Sequence, residues 1–234
     1  MQKIETMLQL QQDLNDTTNG PGWEYGTTRN GKPIDWRRCI WLEAAELVES
    51  YPWKHWKNID ADPDEANIRI EAVDIWHFVM SEALRRFALE QGGALGDLAQ
   101  RMTANEAYRR FADPQRTWKR PDPYQAIEEV ERLIAMLFAD EPIEAWTAQF
   151  FRIASQSGLD LNTLYALYVG KNILNRFRQD HGYKEGRYRK TWDGQEDNAV
   201  MQSLLRKEPS LTPQALYERL ATIYRVLEGE SGGN

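Results

Sequence analysis

The apolar residues of this chain recur at helical spacing along most of its length, and this pattern constrains the fold more than any other feature. Near the N-terminus, Ile4, Met7 and Leu8 begin such a pattern, and residues three or four apart lie on one face of a helix. The sequence has no convincing alternation of apolar and polar residues of the kind that marks a half-buried strand. We therefore predict an all-α fold, a compact helical bundle.

Acidic caps and prolines divide this pattern into segments. Asp35 can cap a helix that runs to about Ser50, and Pro52 ends it. Asp122 followed by Pro123, and Asp160, mark later helix starts in the same way. The expected helices cover 2–14, 36–50, 65–89, 123–139, 142–156 and 161–179, with two short ones after 196. We expect one domain over 1–234, with a variable connecting region of low order near 91–122 and a basic, glycine-containing loop over 180–196.

Composition limits the possible partners. The net charge of −7 argues against binding to nucleic acid, because the chain has no uniform basic field. No apolar run approaches the ~20 residues of a membrane span. Cys39 is the only cysteine, so no intramolecular disulfide can form, and the N-terminus has no signal-peptide pattern. We expect a cytoplasmic protein without nucleic-acid or membrane partners.

Two pairs of acids interrupt the apolar stripes. Glu43 and Glu46 are three apart in one expected helix, and Glu71 and Asp74 are three apart in the next. Glu43 lies between Ile40 and Leu47, where the pattern calls for an apolar residue. Isolated buried carboxylates are costly to keep charged, and divalent cations remove that cost.

The ligand type indicates which cation these acids would hold. All four donors are oxygens, which favour Mg²⁺, with Mn²⁺ as a substitute, over Zn²⁺. Paired carboxylates can hold ions about 3.5–4 Å apart, an arrangement suited to in-line attack on phosphorus. The alternative is that these acids are solvated or form ion pairs with Arg37, Arg38 or Arg69.

Several longer motifs carry a resemblance to a known family. They are Leu10–Asn15, Trp36–Ile40 leading into Glu43–Leu47, Trp53–Asn58, Glu71–Phe78, and Lys171–Gly186, with a last match at Glu196–Asn198. With these motifs the chain resembles the dimeric all-α dUTPases of the all-α nucleoside triphosphate pyrophosphohydrolase (MazG-like) superfamily. The two acidic pairs alone specify only the superfamily, whereas Trp-Lys-x-Trp-Lys and Gly-Tyr-Lys-x-Gly are more specific. The resemblance covers most of the chain except roughly 91–150.

The resemblance implies a homodimeric enzyme that hydrolyses dUTP, and in many members dUDP, to dUMP, with attack on the β-phosphorus. Carried onto this chain, it makes Glu43, Glu46, Glu71 and Asp74 the metal ligands. Glu43 is the candidate that orients and deprotonates the attacking water. No covalent enzyme intermediate is needed.

Among residues 1–90, four are expected to contact the base, the sugar or the ligand as a whole. Gln11 and Asn15 lie four apart, and the resemblance gives these two amides base and sugar recognition. Phe78 can pack against the deoxyribose and disfavour a 2′-hydroxyl, or it is an ordinary core aromatic. Trp23, in a glycine-rich loop, closes over the ligand or simply anchors its loop.

A triphosphate also needs positive charge beyond what metal ions supply. Eight residues complete the expected substrate site: Lys54, Lys57, Lys171, Asn175, Arg178, Tyr183, Lys184 and Lys190. Lys171, Arg178 and Lys184 rank first for phosphate contact, because Gly182 and Gly186 let the backbone approach a ligand. Asn175, four after Lys171, could read base or sugar.

Other functions stay open at this point. An enzyme that acts on dCTP, or a relative of broad specificity, would use the same acids. A catalytically silent helical dimer that acts as a regulator is the alternative from a different class, with 91–122 as a possible partner-binding region.

Overall fold

The computed structural model describes residues 1–57, 61–90, 92–139, 141–208 and 210–231, and helices make up most of this part of the chain. The helices are α1 (Gln2–Asn19), α2 (Trp36–Glu49), α3 (Glu65–Leu89), α4 (Leu95–Thr103), α5 (Glu106–Phe111), α6 (Pro123–Phe138), α7 (Ile143–Gln156), α8 (Leu161–Asp180), α9 (Asp197–Lys207) and α10 (Pro213–Ser231). The all-α fold class is therefore confirmed. No helix in the described part of the chain is both long and apolar enough to cross a membrane.

Aspartate caps set the starts of the helices that matter most for the site. Asp35 accepts a hydrogen bond from the backbone N–H of Arg38 at the start of α2, at 3.3 Å. Asp64 caps α3 in the same way, accepting from Asn67 at 3.0 Å. Each such cap satisfies a backbone donor that the helix itself leaves unpaired, and it contributes about 1 kcal/mol.

The contacts within the chain divide it into two units, Met1–Tyr165 and Ala166–Asn234. In the first unit, α3 packs against α1, α2 and α7. Its Trp76 has no exposed surface and stacks on Phe150 of α7, with ring centroids 4.5 Å apart. Burial on several sides fixes α3, so the acidic side chains that it carries are held on a rigid element.

The region near 91–122 differs from the expectation of low order. It contains α4 and α5, and Leu98, Met102 and Phe111 are fully buried. The two helices are short, and Gly92, Gly93 and Gly96 around the first of them suggest a loop. Burial of their few apolar side chains against distant parts of the first unit stabilises them, and a local pattern does not report such contacts.

The second unit is built around an aromatic cluster. Phe177 of α8 contacts Tyr188, Trp192 and Tyr224, with ring centroids between 5.6 and 6.2 Å apart. A short hairpin, β1 (Thr191–Trp192) and β2 (Gln195–Glu196), interrupts the loop expected over 180–196. The last helix, α10, is also longer than the short one expected. The expectation of a single domain over 1–234 stays a prediction.

Candidate active site

Three of the four expected metal ligands come together between α2 and α3. One carboxylate oxygen from each of Glu43, Glu46 and Glu71 lies within 4.8 Å of the others. Glu71 is buried, Glu43 is half-buried and Glu46 is exposed. The expectation that both pairs lie inside apolar stripes is thus wrong for Glu46. Three converging carboxylates form an all-oxygen donor set, which fits a hard divalent ion and not a soft one.

Asp74 lies one helical turn beyond Glu71 on α3 and is half-buried, and it is not part of this three-residue group. Its role as a fourth ligand stays a prediction. The arginines considered as alternative partners pair elsewhere. Arg37 and Arg38 lie 3.5 and 3.7 Å from Asp35, and Arg69 lies 3.3 Å from Glu65.

A cavity of about 760 Å³ opens beside Glu46, between the end of α2 and the start of α3. Lys54 and Lys57 line it together with Glu46, so these two expected phosphate ligands share a cavity with one of the acids. Lys54 forms an ion pair with Glu49, and its ammonium lies 5.6 Å from the centroid of the Trp53 ring. Glu49, Asp62 and Asp64 also line the cavity, so two lysines and four carboxylates face one opening.

The two amides expected to recognise the base are buried between α1 and α3. Gln11 and Asn15 are each 3% exposed. The Gln11 Nε2 donates to Ser81 Oγ at 3.0 Å and to Asn15 Oδ1 at 3.3 Å. The Gln11 Oε1 lies 2.7 Å from His77 Nδ1. Both amides therefore belong to one polar network, and their contact with a base stays a prediction.

Aromatic rings follow one another from the glycine-rich loop to α3. Phe78 is half-buried and stacks on Trp36, with centroids 5.9 Å apart and an interplanar angle of 26°. The Trp23 ring lies edge-on to the Trp36 ring, with centroids 5.9 Å apart. The Trp23 indole is fully buried and donates to Asp16 at 2.8 Å, which is the position of a loop anchor. A contact between Trp23 and substrate would require this loop to move.

The second unit contains the other expected cations. Arg178, which is 8% exposed, forms two hydrogen bonds of 2.8 Å to the carboxylate of Asp197. Lys171 is 4% exposed and donates to Asn198 at 2.8 Å. Asn175 accepts from Arg178 at 3.2 Å. Arg178 is therefore held by a fully buried acid, and its contact with phosphate remains a prediction.

The remaining residues of the expected substrate site lie on the surface of the second unit. Tyr183, Lys184 and Lys190 are all exposed. The ring of Tyr183 lies 5.9 Å from the Arg178 guanidinium. Gly182 and Gly186 have φ angles of 81° and 69°, a left-handed conformation that itself requires glycine. The two glycines are thus explained by the turn, without a ligand.

Sequence reasoning assigned no role to Asp197, Asn198 or Ser81. Asp197 and Asn198 lie at the start of α9, and the ion pair of Asp197 with Arg178 and the hydrogen bond of Asn198 with Lys171 reveal their importance. Ser81 lies one turn after His77 on α3, and its link to the two amides of α1 is visible only in the hydrogen bonds between the helices.

The profile of the dUTPase family matches residues 3–183, which is most of the chain. The chain belongs to the dimeric all-α dUTPase family. The dUTPase match includes the helices that carry both acidic pairs and both buried amides. A search of curated proteins gives no match to the chain.

Membership in the dUTPase family establishes dUTP diphosphatase activity and a place in nucleotide metabolism. The family uses a divalent metal, and the cluster of Glu43, Glu46 and Glu71 provides a matching set of ligands. A nucleotide is accordingly the substrate. The regulator without catalytic activity, the alternative from a different class, is not supported by this match.

Proposed function

We propose that the chain hydrolyses dUTP, and also dUDP, to dUMP in a Mg²⁺-dependent reaction that releases pyrophosphate or phosphate. The observation that carries the proposal is the convergence of the Glu43, Glu46 and Glu71 carboxylates within 4.8 Å between α2 and α3. Mn²⁺ is the expected substitute, because it accepts the same oxygen ligands. The reaction would supply dUMP. Removal of dUTP would limit uracil incorporation into DNA.

The divalent ion would supply charge neutralisation at the phosphates and a lowered pKa for an attacking water. Glu43, Glu46, Glu71 and Asp74 would hold it, with Asp74 reaching the cluster from the next turn of α3. Glu43 is half-buried beside the exposed Glu46, and it is our candidate for orienting the water and accepting its proton.

The base and sugar would contact the α1–α3 side of the first unit. Gln11 and Asn15 provide amide donors and acceptors for the base, and Phe78 provides an apolar surface for the deoxyribose. Lys54 and Lys57, which line the cavity next to Glu46, support phosphate binding there. Lys171, Asn175, Arg178, Tyr183, Lys184 and Lys190 are proposed to complete the substrate site.

Attack at the β-phosphorus would give dUMP from either nucleotide, because the reacting atom does not need a γ-phosphate. We propose a homodimer on the basis of the family resemblance. We also propose a cytoplasmic location, because Cys39 is the only cysteine, and no nucleic-acid or membrane partners, because the net charge is −7 and the sequence has no long apolar run. Light scattering coupled to size-exclusion chromatography tests the dimer.

The direct test is release of pyrophosphate from dUTP, measured with Mg²⁺, with EDTA, and with Mn²⁺ added back after EDTA. We expect turnover with either ion and none with EDTA, with phosphate as the product from dUDP. Undiminished turnover in EDTA would contradict the metal-dependent reaction.

The same assay compares substrates. Equal concentrations of dUTP, dCTP, dTTP and UTP separate the proposed enzyme from a dCTP-specific or broad-specificity pyrophosphohydrolase. We expect dUTP to have the highest kcat/KM of the four. A higher value for dCTP would favour the first alternative, and similar values for all four would favour the second.

A further inference from the structure

Four polar side chains form a buried island between α1 and α3. Gln11 and Asn15 face it from α1, four residues apart, and His77 and Ser81 face it from α3 at the same spacing. Each of the four is 3% exposed or less. Around them the same helices bury Met7, Leu8 and Trp76. A polar group in such a place has to find its partners within the protein.

Ser81 is the centre of this island. Its hydroxyl donates to the backbone carbonyl of His77, one turn earlier in α3, at 3.0 Å. Asn15 Oδ1 also lies within reach of this hydroxyl, but farther away, at 3.4 Å. Since the shorter contact takes the single hydroxyl proton, the Ser81 oxygen acts as an acceptor toward both amide nitrogens. The Gln11 Nε2 donates to it at 3.0 Å and the Asn15 Nδ2 at 3.1 Å. Ser81 thus turns the nitrogen of each amide toward α3.

Contacts with Asn15 and His77 favour the same orientation of the Gln11 amide. The Gln11 Nε2 also donates to Asn15 Oδ1 at 3.3 Å, and His77 Nδ1 lies 2.7 Å from Gln11 Oε1. With its proton on Nδ1, His77 donates to that oxygen. If the Gln11 amide turned over, its oxygen would face the accepting lone pairs of Ser81 and its nitrogen would face an N–H. Both contacts would be lost in a buried site.

An amide that is free to turn over cannot tell uracil from cytosine. Uracil presents an N3–H donor beside the O4 acceptor, whereas cytosine presents an N3 acceptor beside an amino donor. The two edges have opposite polarity, so an amide matches one base in one orientation and the other base when turned over. Selection therefore depends on whatever fixes the amide.

We propose that Ser81 is a specificity-determining positioning residue, which with His77 fixes the Gln11 and Asn15 amides in the orientation that selects uracil over cytosine. This inference rests on the proposed contact of these amides with the base. Ser81 itself acts through the two amides, and removal of its oxygen lets either amide turn over.

The test compares kcat/KM for dUTP and dCTP in Ser81→Ala. The ratio of the two values does not depend on the folded fraction, because the same folded molecules meet both substrates. We expect the dUTP/dCTP ratio to fall by about tenfold or more, since a site built on hydrogen bonds loses discrimination when its polar groups lose their partners. We expect this ratio to fall because the KM for dUTP rises and the turnover of dCTP increases.

Ser157→Ala is the matched control. Ser157 is also buried, at 4% exposure, and its hydroxyl likewise donates to a carbonyl one turn earlier, that of Ile153 at 3.0 Å. Ser157 lies at the end of α7, away from the island. We therefore expect the dUTP/dCTP ratio of kcat/KM in Ser157→Ala to stay within about twofold of the parent value. If Ser81→Ala fails to fold by circular dichroism, Ser81→Cys keeps a similar size and replaces the oxygen with a weak acceptor.

The outcomes separate this inference from the function on which it rests. Parent enzyme with equal kcat/KM for dUTP and dCTP would refute the uracil selectivity of the proposed function. Asn15→Ala with parental kcat/KM for dUTP would refute the base contact. A selective parent whose ratio is unchanged in Ser81→Ala, or in Ser81→Cys, would overturn the role of Ser81 alone.

Discussion

The Arg178 guanidinium and the Asp197 carboxylate lie face to face in the second unit, joined by two hydrogen bonds of 2.8 Å. The Tyr188 hydroxyl donates to the same carboxylate at 2.8 Å. Burial by itself would raise the pKa of Asp197, but the hydrogen bonds and charge of Arg178, with Tyr188, hold that pKa below its ordinary value. The carboxylate in turn raises the pKa of the Tyr188 phenol, after the larger effect of burial. The group is therefore an ion pair at neutral pH.

Breaking this pair is expected to destabilise the chain. Asp197→Asn leaves Arg178 buried without its counter-charge, and we expect a loss of about 3 kcal/mol in the free energy of unfolding at pH 7. Urea unfolding followed by circular dichroism measures this loss. Glu106→Gln removes an exposed ion pair with Arg109 and Arg110 and should leave the urea midpoint unchanged. An unchanged midpoint in Asp197→Asn would show that the pair does not stabilise the fold.

The same pair predicts a pH dependence. The pKa of Asp197 is lower in the folded chain than in the unfolded chain, so the folded state binds fewer protons in acid. Its contribution is complete above the unfolded pKa of about 3.9, and it is lost as the pH falls through the lower folded pKa. We expect the stability gap between parent and Asp197→Asn to narrow below about pH 4 in urea titrations. A gap that stayed constant down to pH 2 would contradict this assignment.

Loss of one proposed metal ligand should lower the rate of catalysis strongly but keep the fold. Glu46 is exposed and Asp74 is half-buried, so neutral amides fit in their places without new buried charge. We expect Glu46→Gln and Asp74→Asn to lower kcat with dUTP and Mg²⁺ by about 10²–10³. Glu131→Gln, an exposed change on α6, should keep parental turnover. Near-parental turnover in both test variants would refute the site assignment.

Binding of the ion should also be visible without any substrate. A ligand that binds only the folded state stabilises it, by about 2.7 kcal/mol at about 100 times its Kd. We expect Mg²⁺ to raise the melting temperature of the parent, and the double variant Glu43→Gln with Glu46→Gln to lose most of that rise. Equal rises in both proteins would place the ion elsewhere.

Phe78 should influence the choice of sugar. Its ring stacks on Trp36, which fixes the ring plane at the half-buried surface next to the acids of α3. Phe78→Leu keeps an apolar side chain but loses the flat face, and we expect the dUTP/UTP ratio of kcat/KM to fall about tenfold. Phe138→Leu, at a ring that is 68% exposed on α6, is the control. A ratio that did not change would leave Phe78 with a packing role only.

The sequence predicted best those features that are local. The caps Asp35 and Asp122 marked the starts of α2 and α6, and the helix predicted over 65–89 has the same bounds as α3. These signals depend on residues within a turn or two of each other. The grouping of Glu43 and Glu71 was also predictable, because both interrupt the apolar stripes of neighbouring helices, whereas the exposure of Glu46 was not.

The features that sequence reasoning missed depend on distant contacts. Phe111 ends a helix too short to show a period, and its burial depends on packing with Phe151 of α7. Asp197 follows a hairpin of only a few residues, and its partner Arg178 lies in α8. The roles of Asp197 and Ser81 are defined by side chains that are far away in sequence. A pattern within one helix therefore cannot reveal these contacts.

The graded burial of the three acids has a consequence for how the enzyme responds to its surroundings. Glu71 is buried, Glu43 is half-buried and Glu46 is exposed, so the cluster opens to solution on one side. An ion bound there would be in contact with solution through the exposed Glu46 side. The rate of hydrolysis would then vary with the free concentration of divalent cations around the enzyme.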